Sequence, residues 1–204
     1  MQSGVIDTQA VASLRSSCGR VIPLHVDRWF DEPGPEEQRL LVQAVGPVLD
    51  VGCGPARHVL ALGRIGVPAL GIDVAEGAVA IARGRGAPVV HASIFDPLPL
   101  EGAWGTALLL DGNVGIGGDP SWLLTRARRL LRPGGRALLE VEAPGGGGGT
   151  LRVRAERRGV AASAWFAWAL VGADQVAELA HHAGFASAEI WQDRGRWFAR
   201  LEVG

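Results

Sequence analysis

An open α/β sheet, mostly parallel and covered by helices on both faces, is the architecture this sequence predicts. Three observations carry it. Short apolar runs at 47–51, 68–73, 88–92 and 106–110 alternate with helical stretches, which is the pattern of successive βαβ units. The first run ends in Asp50-Val51-Gly52-Cys53-Gly54, where two close glycines allow a sharp turn and let a ligand approach bare backbone. The second run ends in Asp73, 19 positions after Gly54, an acid placed to accept hydrogen bonds from the ribose hydroxyls of an adenosine-containing ligand.

Each element has its own warrant. Residues 1–21 carry no clear pattern and Pro35 to Ala44 reads as helix, so 1–44 is expected to be an N-terminal helical cap and 45–204 the main domain. The run at 47–51 is too short for a helix and is β-branched, hence a buried strand. Helices follow at about 55–65 and 75–83, with Gly66 and Gly84–Gly86 as stops. The continuous apolar run at 106–110 suits a strand covered on both faces. The next helix is the best specified. Asp119 is its N-cap, Pro120 its first residue, and Trp122, Leu123, Ala127, Leu130 and Leu131 its apolar face. Four arginines load its C-terminal half, where positive charge suits the helix dipole. Pro133-Gly134-Gly135 is expected to end it and turn into a strand at 136–141. Five glycines at 145–149 are too costly in chain entropy for a regular element and read as a hinge or loop. Beyond them, alternation at 151–155 and a partner at 164–171 predict a small added strand pair at about 150–171. A helix at about 174–183 precedes strands at 187–192 and 197–203, joined by the turn Asp193-Arg194-Gly195-Arg196.

Composition narrows the function. The chain has 204 residues, 48% of them hydrophobic, and a formal net charge of −1, which argues against disorder and against an electrostatic nucleic-acid binder. All 20 basic residues are arginine. No apolar run approaches the ~20 residues that span a bilayer, and the N-terminus lacks a signal-peptide pattern, so a cytoplasmic protein without a membrane partner is expected. Cys18 and Cys53 have neither a CxxC partner nor a nearby histidine pair, and no metal site is expected.

The third glycine of the dinucleotide fingerprint is replaced by Arg57. Asp50-x-Gly52-x-Gly54, Asp73, the Leu-Arg-Pro-Gly-Gly stretch at 131–135 and the C-terminal hairpin instead resemble the Rossmann-like (class I) S-adenosylmethionine-dependent methyltransferases of the small-molecule type, over roughly Val48 to Val203. The resemblance implies a seven-stranded sheet of order 3-2-1-4-5-7-6 with the last strand antiparallel. It also implies S-adenosylmethionine as cofactor, S-adenosylhomocysteine as product and a small-molecule acceptor. Gly52 and Gly54 would touch the methionine portion, Asp50 would orient the loop or bind the ammonium group, and Asp73 would hold the ribose. Ile72, Val74 and Ile94 would flank the adenine, with Ser93 standing where many members carry an acid. Gly105 likewise replaces an acid common in the family.

Asp111 and Asn113 follow the fourth strand, where the transferred methyl is expected, and are the preferred substrate-side residues. The glycines from 112 to 118 suggest a flexible loop there. The Asn-Pro-Pro-aromatic motif of nucleobase amine methyltransferases is missing. His58 is the first candidate for a general base, since a helix N-terminus lowers a histidine's pKa; His25 is the second. Arg57 could bind the cofactor carboxylate. Trp29 and Phe30 could form a lid, and Trp165, Phe166, Trp168, Trp197 and Phe198 either line an acceptor pocket or pack the added strands. Two other readings remain: a nicotinamide-dependent oxidoreductase, weakened by Arg57 and the C-terminal hairpin, and a non-catalytic S-adenosylmethionine-binding module.

Overall fold

The computed structural model describes residues 13–204. In chain order the elements are β1 (Ser13–Ser16), β2 (Val21–Pro23), α1 (Pro35–Leu41), β3 (Val48–Val51), α2 (Arg57–Arg64), β4 (Ala69–Asp73), α3 (Glu76–Gly84), β5 (Val89–His91) and β6 (Trp104–Leu109). They continue with α4 (Pro120–Leu130), β7 (Leu131–Val141), β8 (Gly149–Arg157), β9 (Val160–Ala161), β10 (Phe166–Leu170), α5 (Val176–His182), β11 (Ser187–Asp193) and β12 (Arg196–Glu202).

Seven strands form the main sheet in the order β5-β4-β3-β6-β7-β12-β11. The pairs β5–β4, β4–β3, β3–β6 and β6–β7 are parallel, while β12 runs antiparallel to both β7 and β11. This is the expected order with its late antiparallel strand. β3 and β6 are buried at every position, which explains why both are mostly apolar even though β3 carries Asp50 and β6 Thr106. One face packs α4 and α5 against Leu49, Leu109, Ala137 and Leu139. On the other, Leu40, Leu41 and Leu62 from α1 and α2 pack on Val48, Leu108, Leu138 and Phe198.

Local signals landed where their chemistry demands. Asp119 accepts from the Trp122 N–H at 3.0 Å and caps α4. The β11–β12 hairpin turns through Arg194 and Gly195, both with positive φ (50° and 83°), as a two-residue turn between twisted strands requires. The end of α4 differs from expectation. The helix stops at Leu130 and β7 begins at once, Leu131 pairing with Trp104; the register then shifts before Thr106 meets Arg136. Pro133 and Gly134 lie in that irregular stretch rather than ahead of the strand.

The N-terminal segment requires a correction. Among the described residues of the expected helical cap, 13–44, β1 and β2 are strands, 26–29 is a single 3-10 turn, and only α1 is α-helical; residues 1–12 lie outside the described residues. β1 lies between β2 and β8 in a second, antiparallel sheet ordered β10-β8-β1-β2, with β9 on β8. Leu14 and Ser16 are buried while Ser13 and Arg15 are half-buried, so a period-two pattern exists. Its partner is β8, more than half the chain away, and the Arg15 guanidinium meets the buried Glu156 carboxylate at 2.8 Å. The added strands at 149–157 and 166–170 therefore belong to a larger cover over the carboxyl ends of the main strands.

Candidate active site

β3 delivers its chain to a turn in which Gly52 and Gly54 have φ of +70° and +54°. Gly52 and Cys53 both donate to the Ile72 carbonyl, at 2.8 and 3.0 Å. The Gly54 N–H donates to Asp73 Oδ2 at 2.8 Å, while Asp73 Oδ1 accepts from Ala75 at 2.8 Å. Asp73 thus ties the glycine turn to the start of α3. Each of its oxygens keeps accepting capacity for a hydroxyl donor. Burial raises its pKa above the ordinary carboxyl value, against the pull of these two N–H groups.

Over this turn lies a cavity of about 690 Å³. Gly52, Gly54, Asp73, Ile72, Val74, Ser93, Ile94, Asp111 and Asn113 all line it, so nine of the eleven residues singled out from sequence converge on one space. The two glycines and Asp73 sit at one end, Val74 is an exposed apolar residue at the rim, and Ile94 is buried. The Ser93 hydroxyl accepts from the Phe95 N–H at 3.2 Å, and Asp96 accepts from the Ser93 N–H at 2.8 Å.

The remaining two, Asp50 and His58, lie beneath the turn, outside that lining. Asp50 is buried on β3, and its Oδ2 has no hydrogen-bond partner. His58 is 3% exposed on α2. Its Nδ1 is 3.8 Å from Asp50 and its Nε2 3.9 Å from Glu37. Burial disfavours charge on the ring, yet the two carboxylates outweigh it and raise the pKa to about 9. The general-base role for His58 is therefore overturned: the ring is walled off from the cavity and holds its proton. Asp50 as a direct ligand for the ammonium group falls for the same geometric reason.

Asn113 also changes role. Its amide donates to the carbonyls of Val51 and Gly52 at 2.9 and 3.0 Å, so it holds the glycine turn as well as lining the cavity. Asp111 stands at φ +54°, one residue beyond Leu110, which follows the end of β6 at Leu109. Its two oxygens accept from Arg57 Nη2 at 2.9 and 2.8 Å, and its own N–H donates to Glu140 at 2.9 Å. Arg57 is buried, lines the larger cavity and forks onto Glu37 at 2.9 and 2.7 Å, so its guanidinium is already engaged within the protein. Arg196, in turn, reaches Glu140, Glu36 and Glu37 at 2.7 to 3.0 Å. Burial opposes the Glu37 charge, but His58, Arg57 and Arg196 together hold that carboxyl well below its ordinary range.

A second cavity of about 430 Å³ adjoins the first, floored by Asp111, Glu140, Glu142, Arg196 and Trp197 and roofed by β1, β2 and the following loop. His25 and Trp29 line it. Phe166 and Trp168 line the larger cavity, whereas Phe198 is fully buried in the core and Trp165 lies on the surface under Arg154. The glycines after β6 are packed rather than free. A Cβ on Gly115 would lie 2.1 Å from the Ala169 carbonyl oxygen, and one on Gly118 2.7 Å from Ala167 Cβ. They are small so that β10 can dock, through an Ile116–Trp168 bridge. Gly105 is explained likewise, since a Cβ there would meet the Val45 oxygen at 2.3 Å.

Sequence reasoning missed Glu37, Glu140 and Arg196, whose meeting depends on the hairpin folding back over α1. It also missed Phe95, which lines the larger cavity and stacks on Trp122 at 3.8 Å. Its place beside Ile94 in the post-strand loop was the available signal. Cys53 packs against Gly71, and burial raises its thiol well above the ordinary range, so it is no nucleophile. Among the described residues no group of three or more His, Cys, Asp or Glu is placed to hold a metal ion. No helix among them is long and apolar enough to cross a membrane.

Residues 49–139 match the methyltransferase-domain family. The chain superposes with a TM-score of 0.78 on an S-adenosylmethionine-dependent methyltransferase from Bacteroides fragilis in complex with S-adenosyl-L-homocysteine, at 24% identity over 99% of this chain and 93% of that one. The 1,6-didemethyltoxoflavin N1-methyltransferase of Burkholderia thailandensis, with bound 1,6-didemethyltoxoflavin and S-adenosylhomocysteine, gives 0.61 at 21% identity over 87% and 81%. The sugar N-methyltransferase KedS8 from Streptoalloteichus gives 0.59 at 18% identity over 82% and 84%. A 37.1 kDa protein of transposon Tn4556 from Streptomyces fradiae is 36% identical over 98 residues, 45% of this chain and 28% of that relative's length. Residues 49–139 are thus similar to the methyltransferase-domain family, and the chain has the fold of the S-adenosylmethionine-dependent methyltransferases.

Proposed function

We propose that this chain transfers a methyl group from S-adenosylmethionine to a small-molecule acceptor, with residues 45–204 carrying the reaction and the covering sheet shaping the acceptor's space. The observation that carries the reading is the cavity over the Gly52–Gly54 turn, which contains Asp73 at one end and runs to Asp111 beside a second cavity. S-adenosylmethionine is the cofactor. Gly52 and Gly54 would hold its methionine portion, Asp73 would accept from its ribose hydroxyls, and Ile72, Val74, Ile94 and Phe95 would hold the adenine, with Ser93 beside it. Bound there, the cofactor supplies an electrophilic methyl group. The chain's own work is alignment and exclusion of water, the two requirements of an in-line displacement. Asn113 keeps the glycine turn in shape, Arg57 and Arg196 fix Asp111 and Glu140, and the cover closes the space above them.

The similar structures from Bacteroides fragilis and Burkholderia thailandensis bind S-adenosylhomocysteine, and the latter is a 1,6-didemethyltoxoflavin N1-methyltransferase with that compound bound, which supports this reading. Thermal unfolding with S-adenosylmethionine, S-adenosylhomocysteine and NADH tests it. Stabilisation by the first two is expected, and stabilisation by NADH alone would reject the proposal in favour of an oxidoreductase.

A further inference from the structure

The two cavities share five lining residues, Leu14, Leu24, Trp29, Asp111 and Trp168, which therefore surround the passage between them. Two are indoles, one is a carboxylate and two are apolar. An indole face attracts a cation, more strongly where water is excluded, and a carboxylate is an acceptor for N–H donors. The Asp111 side chain remains 26% exposed after pairing with Arg57, so it still presents acceptor surface to the passage.

The charges behind Asp111 reinforce this. Its connected ion-pair cluster holds five carboxylates (Glu36, Glu37, Asp50, Asp111 and Glu140) against Arg57, Arg196 and the protonated His58. That leaves an excess of two negative charges. Glu142 adds a further carboxylate to the outer cavity, with no side-chain partner among the described residues. The cations Arg20 and Arg28 line the outer cavity and not the larger one, where they would meet the part of an acceptor that extends outward.

We propose that the acceptor is an amine whose nitrogen sits at the passage, against Asp111 and bordered by Trp29 and Trp168; the proposal rests on the methyl-transfer reading above. The amine enters as its ammonium form and gives one proton to water. Its lone pair then forms the N–CH3 bond while the C–S bond of the sulfonium donor breaks, the bonding electrons remaining on sulfur as a neutral thioether. The positive charge passes to the methylated nitrogen, whose remaining N–H groups Asp111 accepts. A neutral amine needs no proton removed during the attack, which agrees with the described residues shared by the two cavities, none of which is a neutral base.

Calorimetry on the full chain saturated with S-adenosylhomocysteine tests the idea, with 2-phenylethylamine and 2-phenylethanol as probes. The amine should bind roughly tenfold more tightly than the alcohol. Asp111→Asn and Trp29→Leu should each erase most of that preference, and Trp29→Leu does so without touching the buried ion pairs. Equal binding of the two probes, no binding of either to the loaded chain, or a preference unmoved by both substitutions overturns the proposal. Failure of S-adenosylhomocysteine itself to bind would instead sink the methyl-transfer reading beneath it.

Discussion

The Asn113 amide nitrogen reaches across the end of the sheet to the carbonyls of Val51 and Gly52, at 2.9 and 3.0 Å. One side chain from the loop after β6 therefore holds the turn after β3. Asn113→Ala leaves two carbonyls without this donor at a cost of about 1–3 kcal/mol, and because the lost contact shapes the cofactor's floor, S-adenosylhomocysteine affinity should fall with it. Gly52→Ala should be worse, since its Cβ would lie 2.7 Å from Asn113 Nδ2 on a residue at φ +70°. Thermal melts and calorimetry on both variants check this; unchanged ligand affinity in folded Asn113→Ala would refute it.

Asp73 offers the sharpest test of the cofactor end. Asp73→Ala should weaken S-adenosylhomocysteine binding by about 1.5–3 kcal/mol, the range for hydrogen bonds to a charged group. Part of that loss comes from freeing the Gly54 N–H. A carboxamide retains an acceptor oxygen, so Asp73→Asn should fall between wild type and alanine in the same titration.

His58 makes stability depend on pH in a defined direction. Its pKa is raised to about 9 in the fold, from about 6.5 in an unfolded chain. Its contribution, roughly 3 kcal/mol at full strength, is complete below pH 6.5 and is lost as pH rises through 9. Glu37 acts in the opposite sense, its lowered pKa giving stability that disappears on acidification. Denaturant unfolding from pH 6 to 10 should show the decline in wild type and a flatter profile in His58→Phe. Equal slopes would remove His58 as the cause.

Gly115 controls how the cover sits. A methyl group there would overlap the Ala169 carbonyl oxygen, so Gly115→Ala should push β10 away at a cost of about 1–3 kcal/mol. Faster hydrogen exchange in β10 than in β3 or β6 would identify the displaced part, whereas a uniform change across the chain would not fit.

The main sheet was legible because its signals are local or chemically unusual. Apolar runs bounded by glycine mark β3, β4 and β6, and the Asp119-Pro120 pair marks the start of α4. The glycine turn and Asp73 were legible as neighbours for the same reason, and the structure joins them by a hydrogen bond at the edge of one cavity. What escaped depends on distant partners. Nothing near Leu14 announces β8 as its neighbour, and β1 is too short to declare itself by periodicity. His58 looked available because its place at a helix start is local, whereas Asp50 and Glu37, which set its protonation, come from a strand and from another helix. The glycines at 112–118 suggested freedom for want of any visible sign that β10 lies against them.

The Arg15–Glu156 contact joins residues 141 positions apart. Bringing so remote a pair together carries a larger loop-closure cost than pairing neighbours along the main sheet. The ceiling thus hangs on the chain's beginning meeting its middle, a seam distinct from the pairing of the strands beneath it. Loosening that seam would unroof the vestibule while those strands keep their own partners.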